Sequence, residues 1–129
     1  MGKDINGLAL ITGTTSGVGL NTLKPLIRFG WNVIAVNRSS ARAIKIAEQF
    51  LTEDEIKNIT FVEIDLSNLD HVRKGCSEIL KNIKKPINSL ICNAAVYKPR
   101  LKRPERSAQG FENSMAVNHF GHFLMIHLL

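Results

Sequence analysis

The apolar run "LALIT" at 8–12 meets "GTTSGVG" at 13–19, and a helix-like pattern of apolar residues starts before that loop is over. Few architectures put three glycines at such a junction. Gly13 permits a sharp turn behind Thr12, Gly17 lets a ligand approach bare backbone, and Gly19 lets the new helix lie close on the strand. The amides of Thr14, Thr15, Ser16, Gly17 and Val18 are then expected to face an anion, helped by the partial positive charge of the helix start. A tight strand-to-helix turn needs glycine for steric reasons alone. The loop therefore points to a pyrophosphate only inside a β-α-β unit.

The rest of the chain supplies that unit. "WNVIAVN" at 31–37, "ITFVEID" at 59–65 and "SLICN" at 89–93 are further short apolar runs ending in turn residues, as strands buried on both faces would be. Between them, 41–51 carries a weak helical pattern through Ile44, Ala47 and Leu51, capped by Ser39 or Ser40. A stronger one runs through Leu69, Val72, Cys76, Ile79, Leu80 and Ile83, behind a Ser67-to-Asp70 capping box. Pro25 falls inside the first helix, where a kink is expected. The resulting β-α-β-α-β-α-β-α order predicts a Rossmann-type, doubly wound parallel sheet of order 3-2-1-4, with the fourth strand at an edge. No repeat or linker divides the chain, so residues 1–129 read as one dinucleotide-binding domain.

With 44% apolar residues the chain can bury a core, and no apolar run reaches the roughly 18 residues of a membrane span. Asp4 near the start leaves no room for a targeting sequence, and Asn6 spoils the N-myristoylation pattern that Gly2 would open. Cys76 and Cys92 are too few for a disulfide framework or zinc ribbon, so a reduced compartment is expected. The net charge of +6 favours acidic partners, among them nucleic acid, an anionic membrane surface or a phosphorylated small molecule. Much of it lies in "KPRLKRPER" at 98–106, which lacks the interleaved aromatics of a single-strand binder. A solvated loop is the plainer reading, and no nucleic-acid partner is expected.

The end of the second strand discriminates between dinucleotides. A site for NAD would carry Asp or Glu there for the ribose hydroxyls, whereas this chain has Asn37 and Arg38. An arginine fork suits a 2′-phosphate, so the coenzyme expected is NADPH; the competing reading of Arg38 is a solvated loop charge.

The spacing T-G-x-x-x-G-x-G from Thr12 to Gly19, Asp65-Leu66 after the third strand, "NAA" at Asn93, Ala94 and Ala95, and Asn118 in "VNHFGHF" together resemble the short-chain dehydrogenases/reductases. "CNAAVY" and the proline-containing basic loop before "GFENSMAVNHFGHFL" look more narrowly like the light-dependent protochlorophyllide oxidoreductases; "NHFGHFL" is shared with retinol-dehydrogenase-like members. The resemblance implies light-driven, NADPH-dependent reduction of a tetrapyrrole, protochlorophyllide, to chlorophyllide. It places Asp65 and Leu66 by the adenine, Asn93 to Ala95 by the nicotinamide, and Asn118 as a supporting catalytic-site residue. The cell would be cyanobacterium-like, the protein cytoplasmic or peripheral to photosynthetic membranes. The family's Y-x-x-x-K pair is absent, because Tyr97 is followed at the lysine position by Leu101. An N-terminal portion, inactive alone, is thus expected; another reductase of the family, or a coenzyme-binding module without catalysis, are the alternatives.

Tyr97 is either a pigment-pocket residue or an ordinary loop tyrosine. His119 and His122 stand three apart without an accompanying Glu, so no metal site is expected. Asn118, Gly121, His122 and Met125 are expected on one helix face, opposite Val117, Phe120 and Leu124. The oligomeric state is left open.

Overall fold

The computed structural model describes residues 7–129; Gly2, Asp4 and Asn6, with the readings attached to them, lie outside the described residues. Four strands, β1 (Leu8–Thr12), β2 (Asn32–Asn37), β3 (Ile59–Glu63) and β4 (Ser89–Ile91), form a parallel sheet of order β3-β2-β1-β4, as the pattern of apolar runs requires. By its internal contacts the chain divides into two compact units, one ending at Glu63 and including Lys84–Asn93, the other comprising Ile64–Ile83 and Ala94–Leu129.

The first unit holds the whole sheet together with helices α1 (Gly17–Arg28), α2 (Ser40–Phe50) and α3 (Glu53–Ile56). Alternate strand residues Ala9, Ile11, Val33, Ala35 and Ile59 join Leu23 and Ile27 of α1 and Ala47 of α2 in one core cluster. Each large side chain so placed contributes about 1.5–3 kcal/mol of burial. Leu10, Ile34 and Val36, which point the other way, are buried as well, the condition under which a strand reads as an unbroken apolar run.

Local sequence sets the ends of these helices. The helix α1 runs on through Pro25 and stops where Gly30 adopts φ +83°, its amide bonding the Ile27 carbonyl while that of Trp31 reaches Leu26. This double closure needs a left-handed residue, which glycine supplies without strain. Ser39, rather than Ser40, caps α2 by accepting from the Arg42 amide. The short α3, not anticipated from the apolar pattern, starts at a reciprocal box between Thr52 and Glu55.

Strand β4 is three residues long where five were expected. It ends early because the Asn93 amide turns back onto the Ile91 carbonyl at 3.1 Å. Asparagines fasten it to β1 at both ends. Asn88 exchanges two bonds with Leu8, through its amide at 2.8 Å and its side-chain Oδ1 at 2.9 Å; Asn93 does the corresponding work beside the glycine loop.

The second unit contains α4 (Leu69–Asn82), the long loop behind Asn93, a single helical turn α5 (Asn113–Met115), a π-helical segment (Ala116–Gly121) and α6 (His122–Leu128). The cap of α4 is Asn68, whose Oδ1 accepts from the amides of Asp70 and His71. Ser67 does not form the expected capping box, because it is bonded to Asp65. Two glycines let neighbours close in here: a Cβ on Gly75 would clash with the Ile64 side chain, and one on Gly121 would lie 2.5 Å from the Leu66 carbonyl oxygen.

Candidate functional site: a glycine loop with an uncapped helix

The loop between β1 and α1 turns on two glycines in the left-handed region, Gly13 at φ +74° and Gly17 at φ +54°, while no other residue type among those described has positive φ. Gly19 acts differently. A Cβ there would sit 1.9 Å from the Gly13 carbonyl oxygen and 2.5 Å from Asn93 Nδ2, so the loop folds back on the first turn of α1. At Gly17, apart from its chain neighbours and the backbone of its own helix, nothing lies within 4 Å of where a Cβ would stand. The three glycines thus divide the labour as their spacing predicts: turn, open approach and close packing.

The start of α1 is left without a side-chain partner. Ser16 occupies the N-cap position, yet its hydroxyl accepts none of the first-turn amides, and no acidic residue lies in that turn. Unpaired amides and the helix dipole therefore converge on the open space by Gly17, which is what an anion needs. Thr15 is half-buried, and Ser16, Gly17 and Val18 are exposed. Thr14 is a correction to the expected cradle. Its amide donates to Asn37 Oδ1 at 2.8 Å and its Oγ1 accepts from Asn37 Nδ2 at 2.8 Å, both groups being buried. Thr14 is thus a fixed corner of the loop, and Asn37 is the residue that fixes it.

Asn93 is a second positioning residue. Its Nδ2 donates to the carbonyls of Thr12 at 3.1 Å and Gly13 at 3.0 Å, and its amide donates to Thr12 Oγ1 at 3.0 Å. The side-chain amide expected by the nicotinamide is thus engaged in shaping the mouth of the loop. Asn93→Leu should remove the donor that the carbonyls of Thr12 and Gly13 share and lower stability by about 1–3 kcal/mol, read as a fall in the thermal unfolding midpoint.

Arg38, next after β2, is exposed and makes no hydrogen bond or ion pair with any described residue. Its surroundings are less uniformly basic than the sequence suggests. Glu63, at the end of β3, is in register with Asn37, and its Oε2 accepts from the Ser40 amide at 3.1 Å. A carboxylate therefore stands by the 38–40 turn after all, delivered by the neighbouring strand.

In the second unit, Asp65 Oδ1 accepts from the Ser67 amide at 2.9 Å and hydroxyl at 2.7 Å, and the Asp65 amide donates to His71 Nδ1 at 2.9 Å. Leu66 is buried, with its carbonyl oxygen packed against Gly121. Ala94 is half-buried and Ala95 exposed. Asn118 holds Val96 at both ends of its peptide group, accepting from its amide at 2.7 Å and donating to its carbonyl at 2.9 Å. It lies in the π-helical segment, where the wider turn breaks the 3.6-residue period, so it is exposed while Gly121, His122 and Met125 are buried. The single face expected for these four residues is therefore split. Asn118→Ala should cost no more than about 1 kcal/mol, since the pair is exposed, and show instead as faster hydrogen exchange at the Val96 amide.

Tyr97 follows this clamp and is 85% exposed. In the basic loop, Lys98 is paired with Glu105 at 2.8 Å. His122 Nδ1 lies 3.3 Å from the Asn118 carbonyl, with burial holding its pKa below the ordinary value against the opposing pull of that bond. Both cysteines are free thiols, and burial pushes Cys76 up to about 11. Among the described residues no three His, Cys, Asp or Glu side chains gather as for a metal ion, and no helix is long and apolar enough to cross a membrane.

Residues 7–129 match the short chain dehydrogenase family. The chain belongs to that family. Among relatives of this chain, protochlorophyllide reductase B of Oryza sativa subsp. japonica, a chloroplastic protein, is 41% identical over 92% of this chain and 29% of its own length. The chloroplastic protochlorophyllide reductase of Daucus carota is 42% identical over 95% of this chain and 30% of its own. The chain thus spans just under a third of the length of these two relatives. A solved 3-ketoacyl-(acyl-carrier-protein) reductase from Brucella melitensis, complexed with NADH, superposes with a TM-score of 0.71 at 26% identity, over 94% of this chain and 47% of its own. The Rossmann-type order read from the sequence is therefore the short-chain dehydrogenase arrangement.

Proposed function

We propose that this chain is the NADPH-binding part of a light-dependent protochlorophyllide reductase. The observation that carries the coenzyme is the uncapped start of α1 beside the open space at Gly17. A pyrophosphate there would take hydrogen bonds from the amides of the loop and first turn, while Asn37 and Asn93 keep the loop in shape from behind. Arg38, unpaired among the described residues, supplies the charge for a 2′-phosphate. When bound, the nicotinamide supplies hydride to the substrate.

For the second unit the reading rests on the family resemblance. Asp65 is assigned to the adenine, the 94–95 backbone to the nicotinamide, and Asn118 is a positioning residue that holds Val96 and the segment around it. Tyr97, exposed next to that clamp, is the residue offered to the pigment. Protochlorophyllide is the substrate proposed because relatives bearing that name match nearly the whole chain at about 40% identity, and because the chain carries "CNAAVY". These 129 residues hold no Y-x-x-x-K pair to lower a tyrosine pKa and deliver a proton. Alone, the chain binds coenzyme without turning over pigment. The matching compartment is the cytoplasm or the surface of photosynthetic membranes.

The substrate is tested by fusing this chain in frame to the remaining part of the carrot relative and illuminating the chimera with pigment and NADPH. Chlorophyllide appearing only in the light is the expected result. A chimera that binds NADPH but leaves protochlorophyllide unreduced would contradict the pigment reading and leave the coenzyme reading standing.

A further inference from the structure

Among the described residues, Glu63 is a carboxylate that the fold brings to the turn carrying Arg38. It lies across from Asn37 in the β2–β3 register, and its Oε2 takes the amide of Ser40, the first residue of α2. That helix has no acidic residue in its own first turn, so Glu63 supplies from another strand the negative charge a helix start favours. Side chain and bond are exposed, and no basic residue is paired with Glu63 among the described residues. The consequence concerns coenzyme choice. A 2′-phosphate drawn to Arg38 would arrive beside a carboxylate already seated on the nearest helix amide. A ribose bearing a plain 2′-hydroxyl would meet no such repulsion and could donate a hydrogen bond to it.

We propose that Glu63 is a specificity-determining residue that opposes Arg38, holding the NADPH preference of this site below what the arginine alone would give. The inference rests on the coenzyme reading above. Two charges of this kind in a partly solvated setting alter affinity by roughly 5- to 10-fold, and salt screens the effect within a Debye length of about 10 Å at 0.1 M. In Glu63→Gln the charge is gone while an amide oxygen remains to accept from Ser40, which keeps the helix start satisfied.

The test is titration of the chain and of E63Q with NADPH and with NADH, at low and at high salt, with thermal unfolding recorded alongside. The expected result is a rise of roughly 5- to 10-fold in the NADPH-to-NADH affinity ratio of E63Q at 20 mM salt, shrinking as salt rises to 0.5 M. An unchanged ratio with wild-type binding intact would overturn the inference alone. Equal weakening of both coenzymes together with a lowered melting point would also overturn it, by showing Glu63 to be only a helix cap. Failure of the wild-type chain to bind either coenzyme would overturn the coenzyme reading and this inference with it.

Discussion

Gly17→Val abolishes NADPH binding, with a loss of at least about 100-fold, or about 2.7 kcal/mol. Two physical effects act together. A Cβ at Gly17 would have nothing within 4 Å apart from its chain neighbours and the backbone of its own helix, so the isopropyl group projects into the place the pyrophosphate would take. The backbone there also sits at φ +54°, a conformation that costs a residue with a Cβ about 1–2 kcal/mol and a β-branched one more, so the loop amides are turned away from their common target. The sheet and its core cluster contain none of this, and the far-ultraviolet spectrum should be retained. Binding isotherms paired with circular dichroism check it. Unaltered affinity would show that the loop is only a turn.

Arg38→Ala reverses the coenzyme preference. Losing a charge-assisted hydrogen bond to a phosphate removes about 1.5–3 kcal/mol, roughly 10- to 150-fold in NADPH affinity, and should leave NADH almost untouched. Arg38 is exposed and unpaired among the described residues, so its removal breaks no internal ion pair, and solvent screening sets the loss toward the lower end of that range. Glu63 then remains by the turn, bonded to the Ser40 amide, with the charge of Arg38 gone. Competitive titration of the two coenzymes against the variant reads the ratio directly; parallel losses for both would mean that Arg38 is a solvated loop charge.

The parts legible in the sequence are those whose cause is local. Gly13, Gly17 and Gly19 announce the loop because backbone sign and close approach restrict the residue type at each position, and the strand order follows from the handedness of three crossovers. What escaped reading lies in contacts between distant residues. Asn37 and Thr14 are 23 apart, and Asn93 and Thr12 are 81 apart, so nothing in either neighbourhood shows that these amides are already engaged. The carboxylate near Arg38 was missed for the same reason, since Glu63 reaches the turn through strand register rather than through sequence. Ser67 looked like the cap of α4 because the spacing to Asp70 fits, but Asp65 takes its hydroxyl and Asn68 does the capping. At Asn118 the difficulty is the π-helical segment, which shifts every later residue relative to a 3.6-residue wheel and has no dependable sequence signature.

The central claim is that the loop at 13–19 and the start of α1 hold the pyrophosphate of a nicotinamide coenzyme. Its most direct measurement is isothermal titration of the 129-residue chain with NADPH in the dark, repeated with Gly17→Val. The account predicts saturable one-to-one binding by the chain and none by the variant at equal helix content. Saturable binding of equal affinity by both, or none by a folded wild-type chain, would contradict it.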